Sequence, residues 1–219
     1  MEYLAKVALY FVPFLLALSF HEYAHAWMAK RKGDTTAEFL GRLSLNPTVH
    51  MDILGTVILP LVAIFFSGPF FGWAKPVPVN PRNFKDPVKD MFWVALAGPV
   101  SNFILAFLAL IILVITALVF TVFLQDSASL FSAIKEFFNI FILINLFLGV
   151  FNLLPIHPLD GGKILARFLP FRWNAFLEKN QMMFNLILIY LFITGGLRVL
   201  AIPVYWMYNQ MMGLVVLFI

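Results

Sequence analysis

The sequence predicts an all-α polytopic membrane protein, with a core of three spans, a re-entrant and partly extended membrane segment, and one or two C-terminal helices. Three observations carry that expectation. Hydrophobic residues make up 62% of the 219 and charged residues 12%, and mean hydropathy is +0.93, more apolar surface than a soluble domain of this size can bury. The apolar residues come in long runs without charge. The Lys and Arg sit in short loops between those runs, where they set orientation against the bilayer. That placement assigns the net charge of +4 to the lipid bilayer rather than to nucleic acid.

The first apolar run covers residues 4–29 and ends in Lys30-Arg31-Lys32-Gly33-Asp34, a basic cluster with a helix-terminating glycine that belongs in the cytoplasm. The run has no small-residue cleavage site, so it reads as a retained span. Residues 35–50 are polar, with Gly41-Arg42 and Asn46-Pro47 as turn signals. A second apolar run, 53–71, holds Gly55, Pro60, Gly68 and Pro69. Gly72-Trp73-Ala74-Lys75-Pro76-Val77-Pro78-Val79-Asn80 follows, and its alternating prolines demand extended backbone. After a charged loop, residues 94–124 carry no charge; as a helix they would measure roughly 46 Å and must tilt, kink or protrude. A polar link at 125–136 leads to a third charge-free run, 137–159, ending at Asp160-Gly161-Gly162. A basic loop to Lys179 and two apolar pieces, 182–194 and 199–219, complete the chain. It reads as one membrane domain, 1–219, with its core in 1–165 and its C-terminal helices in 180–219. Gly195-Gly196, Arg198 and Pro203 break the last region and suggest a gate beside the core.

Charge sidedness constrains the path. Basic residues crowd 30–42, 75–89 and 163–179, whereas 125–136 holds only Lys135. The first two basic loops share a side if 53–79 enters the membrane and returns, and then one span out and one back bring Asp160 to the depth of His25. Extended backbone at that depth must be buried by protein or line a wet cavity.

The chemistry sits in His21-Glu22-Tyr23-Ala24-His25. Histidines at i and i+4 project from one helix face and can share one metal ion, with Glu22 beside them to handle a proton. Such groups are costly within a membrane helix unless they face the protein interior and act there. A catalytic zinc takes three protein ligands and keeps one position open. With no Cys in the chain the third must be His, Asp or Glu, and Asp160, after an apolar run broken by Pro155 and Pro158, is the strongest choice. His50 and Asp52 are alternatives, although His50 reads better as an interfacial loop residue. His157 is either a partner of a ligand or structural. Trp73, Trp93, Trp173 and Trp206 read as interfacial anchors.

These residues also resemble the site-2 protease family of intramembrane zinc metalloproteases. The resemblance covers about residues 15–165 and rests on His21-Glu22-Tyr23-Ala24-His25, on Asn152-Leu153-Leu154-Pro155, and on Leu159-Asp160-Gly161, with Gly72-Trp73-Ala74-Lys75-Pro76-Val77 and Ala97-Gly98-Pro99-Val100-Ser101-Asn102 as further elements. It implies Zn2+ on His21, His25 and Asp160, and Glu22 as general base. It further implies substrate binding by Asn152 and by an extended strand at Pro76, Val77, Pro78 and Val79. Asn102 either joins them or bridges helices. The implied activity is cleavage of single-pass membrane protein substrates within the cell membrane, from a site toward the cytoplasm. No gap has room for the PDZ domain that some members insert. The rival readings are a transporter or channel using His21, Glu22 and Asp160 as a proton or cation path, which the lack of an internal repeat disfavours, a membrane zinc scaffold without proteolytic activity, and a different membrane zincin. Oligomeric state is not legible.

Overall fold

The computed structural model describes residues 2–66, 71–123 and 127–216; the expected break at Gly68-Pro69 and the start of the polar link at Gln125 lie outside the described residues. Among the described residues the regular elements are all helical, and three helices are long and apolar enough to cross a membrane. The first, α1, is Leu4–Arg31. Pro13 gives the Leu9 carbonyl no donor, and the turn before it opens into a π register at Val7–Phe11. Nearly every α1 side chain is apolar, so hydrophobicity does not mark its inner face. Small and polar residues mark most of it: Ala17, His21, Glu22, His25, Ala26 and Ala29 recur at helical spacing and are buried, with Phe14 and Leu18 beside them. Small residues let neighbouring helices approach closely where lipid gives no hydrophobic incentive to associate.

A short helix, α2 (Thr36–Phe39), precedes the second apolar run. That run forms α3, Ile53–Phe66, whose Asp52 caps it by accepting from the Gly55 N–H at 2.7 Å. The chain from Gly72 to Asn80 then returns without regular secondary structure, extended at Asn80 and kept out of the helical region before Pro76 and Pro78. Its two limbs are hydrogen-bonded to each other. Thr56 Oγ1 donates to the Trp73 carbonyl at 2.7 Å, the Trp73 N–H donates to Gly55, and the Lys75 N–H donates to His50 at 2.9 Å. A segment whose ends meet makes no net crossing, as the charge pattern required. Glycine permits the meeting: a Cβ on Gly72 would stand 2.5 Å from the Gly55 carbonyl oxygen and 2.8 Å from Phe14, and one on Gly55 would overlap the Trp73 ring.

The second long helix, α4 (Pro87–Phe123), has 37 residues, about 55 Å against a hydrocarbon core of about 30 Å. Part of the surplus is a polar first turn, where Asp90 pairs with Lys32 at 3.3 Å. A stripe of Ala95, Gly98, Asn102, Ala106, Ala109 and Ala117 faces inward, while Ile104, Phe107, Leu108, Ile111 and Ile115 stay exposed on the side suited to lipid. The third, α5 (Ala128–Asn152), starts earlier than the sequence suggested and takes Lys135 and Glu136 into its exposed face. Its 25 residues exceed one crossing, so its first turns can carry charge.

After α5, residues 153–159 run irregularly into α6 (Asp160–Ala166). The expected basic loop is instead a helix, α7 (Phe171–Lys179). Trp173 and Phe176 stand three apart and Arg172 and Lys179 seven apart, spacings that put each pair on one side of a helix. Helix α8 (Gln181–Ile193) follows at a bend of 61°. Gly195, at φ +76°, ends it, and α9 (Ala201–Val216) begins after a 3-10 turn. Val204 and Val215 of α9 join Ala106, Ala109, Leu110, Ile142 and Leu146 in the main core. The basic loops meet at one end: Lys32 pairs with Asp90, and the Arg167 guanidinium covers the Phe92 ring at 4.8 Å.

Close approach of the two limbs predicts that Gly72→Val destabilises the detergent-solubilised protein by about 1–3 kcal/mol, the usual range for overpacking. Gly213, with nothing within 4 Å, is the control. Thermal unfolding of Gly72→Val and Gly213→Ala checks this, and equal midpoints would count against it.

Candidate metal centre

Three buried side chains, two from α1 and one from the start of α6, 139 positions beyond the first, converge where α1, α4 and α6 meet. His21 Nε2 lies 3.0 Å from His25 Nε2, and Asp160 Oδ2 lies 3.1 Å from each of them. The i, i+4 spacing brings the two imidazoles together, edge to face at 87°. Asp160 arrives because α5 returns the chain and the irregular 153–159 stretch turns it inward. Two glycines make room. A Cβ on Gly98 would stand 2.5 Å from His25 Nε2 and 2.7 Å from His21 Cε1, and one on Gly161 would collide with the Leu153 and Leu154 carbonyls.

The outer nitrogens of both imidazoles are already committed. His25 Nδ1 lies 2.7 Å from the Val94 carbonyl oxygen, which only accepts, so Nδ1 carries the proton. Asn102 Nδ2 donates to the Ala17 carbonyl at 3.2 Å and to Asn145 Oδ1 at 3.0 Å. Its other end, Oδ1, must therefore accept from His21 Nδ1 at 2.7 Å. Asn145 Nδ2 closes the chain on the Phe141 carbonyl at 2.9 Å. In the neutral tautomers two nitrogen lone pairs and a carboxylate oxygen then face one another at about 3 Å. Such a contact is favourable around a cation, and the donor set of two imidazole nitrogens and one carboxylate oxygen suits zinc. His21, His25 and Asp160 are also the one group among the described residues with metal-ligand geometry.

Glu22 is buried beside them, 8% exposed, and its Oε2 accepts from the Val77 N–H at 2.9 Å. The extended segment thus lies against the centre, with Ala74 packed on Phe14 and Leu18. Both its flanks are tied. Arg42 Nη2 donates to the Lys75 carbonyl at 2.6 Å, and Asp34 accepts from the Asn80 N–H at 2.7 Å, from Asn83 Nδ2 at 2.7 Å and from Thr36. Burial pushes the Asp34 carboxyl up, but these hydrogen bonds more than offset it and hold it below the ordinary carboxylate value.

Of Pro76, Val77, Pro78 and Val79, Val77 reaches Glu22 through its N–H, the Pro76 carbonyl accepts from Arg42 at 3.4 Å, and Val79 packs against the cluster of Ala29, Phe84 and Val94. Asn152 ends α5 and donates within its own helix to Leu148 at 3.0 Å. Of the two readings open for Asn102, the geometry favours the bridge between helices. The residue is fully buried between α1, α4 and α5 with its amide spent on protein partners, so it bridges helices and orients His21, and no face of it is left for a substrate. His50 Nε2 donates to the Ser44 carbonyl at 2.7 Å and Asp52 caps α3; neither reaches the centre. His157 packs against Gly162. Sequence reasoning missed Asn145, Gly98 and Asp34. Asn145 and Asp34 each carry one available signal, a polar residue in an apolar run and an acid directly after a helix-ending glycine.

Fold and centre together define a polytopic membrane protein with a buried His-His-Asp metal-binding group. Residues 9–195 match Peptidase family M50, and the chain belongs to that family. A Bacillus subtilis (strain 168) protein named "Putative zinc metalloprotease YwhC" is 39% identical over 183 residues, covering 84% of this chain and 79% of its own. "Putative zinc metalloprotease Rip2" of Mycolicibacterium smegmatis is 30% identical over 212 residues, 95% of this chain and 76% of its own. Stage IV sporulation protein FB of Bacillus subtilis is 31% identical over 169 residues, 72% of this chain and 51% of its own. No solved structure gives a significant match.

Two outcomes follow from this geometry. Asn102→Leu should weaken zinc binding about 10- to 100-fold in chelator competition, and Asn145→Leu should do so less strongly; unchanged affinity in Asn102→Leu would contradict the orienting role. Because the Asp34 carboxyl is depressed on folding, its stabilising contribution is complete above the unfolded value of about 4 and is lost as pH falls through the folded value. Wild type should therefore lose its stability margin over Asp34→Asn only below about pH 4, read from unfolding midpoints between pH 3 and 7.

Proposed function

We propose that this chain is an intramembrane zinc endopeptidase of the HExxH type, hydrolysing peptide bonds within the transmembrane segments of single-pass membrane proteins. The observation that carries the reading is the convergence of His21, His25 and Asp160 within 3.1 Å, one residue from the Glu22 carboxylate, inside an apolar helix bundle of a peptidase family. His21, His25 and Asp160 hold the ion. Zinc bound there supplies Lewis-acid polarisation of a carbonyl and of a water molecule.

The residues do the rest. Glu22 takes a proton from the attacking water and delivers it to the leaving amine, and its position one residue from a ligand keeps both within reach. Burial excludes competing solvent. A transmembrane helix hides its amides in i to i+4 hydrogen bonds, so the substrate must unwind locally before its carbonyl can be reached. The extended segment 76–79 lies against the centre and supports a reading in which the unwound stretch binds beside it, with Asn152 at the end of α5 as a further contact. The meeting of the three basic loops at one end, near His25 and Asp160, supports a centre that opens toward the cytoplasm of a cell membrane.

The test is cleavage of a single-pass test substrate in detergent. Glu22→Gln should keep stoichiometric zinc and lose activity by on the order of 10²- to 10⁴-fold, whereas Asp160→Asn should lose zinc as well. Helix-breaking residues placed in the substrate segment should raise the rate. An active Glu22→Gln enzyme would sink the assignment of the base.

A further inference from the structure

The Glu22 carboxylate receives one hydrogen bond among the described residues, and the donor is a main-chain amide 55 positions away, that of Val77. Building on Glu22 as the base, we propose that the Val77 N–H is a positioning group for that carboxylate, and that Pro76-Val77-Pro78 presents this one amide to it and no neighbour. Proline has no N–H. Across residues 76–78 there is therefore a single main-chain donor, the one that reaches Glu22, and a slip of one residue in either direction would set a proline nitrogen opposite a buried carboxylate. An unpaired buried carboxylate is strongly unfavourable, so the proline pair fixes the register of the segment.

The surroundings hold that register from both sides. Lys75 is tied through its N–H to His50 and through its carbonyl to Arg42, and Asn80 is tied to Asp34. The effect on Glu22 is orientational. A glutamate's terminal torsion is broad and two-fold, so a free carboxylate offers either oxygen in turn. With Oε2 held by Val77, Oε1 is the oxygen left to accept a proton. Arg42 and Asp34 then act on the base at a distance, through the segment they fasten.

Three forms of residue 77 test this. Val77→Pro deletes the N–H while keeping the backbone extended; Val77→Ala keeps it. At equal zinc content, kcat of Val77→Pro should fall about tenfold or more below that of Val77→Ala, with KM within about twofold. Should Val77→Pro fail to fold, incorporation of 2-hydroxyisovaleric acid at position 77 replaces N–H by oxygen with the side chain intact, and the same loss relative to wild type is expected. A readout independent of activity uses metal-free protein. In a peptide running from Pro76 to Pro78 the only exchangeable amide is Val77, and its protection from hydrogen exchange should be lost in Glu22→Ala. An ester variant with wild-type kcat, a Val77→Pro enzyme faster than Val77→Ala, or a Val77 amide equally protected in Glu22→Ala would each overturn the proposal. An active Glu22→Gln enzyme instead overturns the function on which it rests, so the two failures are distinguishable.

Discussion

Two imidazole lone pairs and a carboxylate oxygen held about 3 Å apart in an apolar bundle are the constraint on which the rest of this structure depends. In the neutral tautomers each group has given up water and faces another acceptor, an arrangement that a bound cation relieves. The surrounding architecture makes sense as what is needed to bring it together. Gly98 and Gly161 remove side chains that would block the approach. Val94 and Asn102 fix the tautomers, and the Asn102–Asn145 pair carries that orientation across three helices. A stripe of alanines on α4 allows α1 and α5 to come close enough for those short bonds to form.

A second requirement is access for a peptide to a centre buried among helices. In the proposed function the segment 72–80 would serve that access, since it brings main chain to Glu22 without adding a crossing. Its backbone groups are satisfied by protein: Thr56 and Gly55 at Trp73, His50 and Arg42 at Lys75, Asp34 at Asn80. That accounting permits irregular backbone beside a membrane site. The polar residues between α1 and α4 thus form the frame that holds the extended segment against Glu22, in addition to setting orientation.

Much of this was legible in the sequence because it was written locally. His21 and His25 declare their shared face through an i, i+4 spacing, and Asp160 stands out as an acid at the end of an apolar run. The alternating prolines at 76 and 78 exclude a helix. The uneven distribution of Lys and Arg was enough to predict a segment that enters and returns. What could not be read was set by tertiary neighbours. Asn102 stays open between substrate contact and helix bridge in the sequence because nothing in its own segment reveals Asn145 and Ala17 as partners. Asp34 was absorbed into a basic cluster, where its charge is unremarkable until Asn80 and Asn83 fold onto it. Residues 171–179 read as a loop because they continue a basic stretch, although they form a helix, and the helix ending at Asn152 starts about two turns before the charge-free run because exposed charges are tolerated beyond the hydrocarbon.

The measurement that bears most directly on the central claim is X-ray absorption at the zinc edge on purified protein. The account predicts one zinc per chain with a four-coordinate shell of two imidazole nitrogens and two oxygens at about 2.0–2.1 Å, and no sulfur. A protein that carries no zinc after purification and reconstitution, or a six-coordinate shell of oxygens alone, would contradict it.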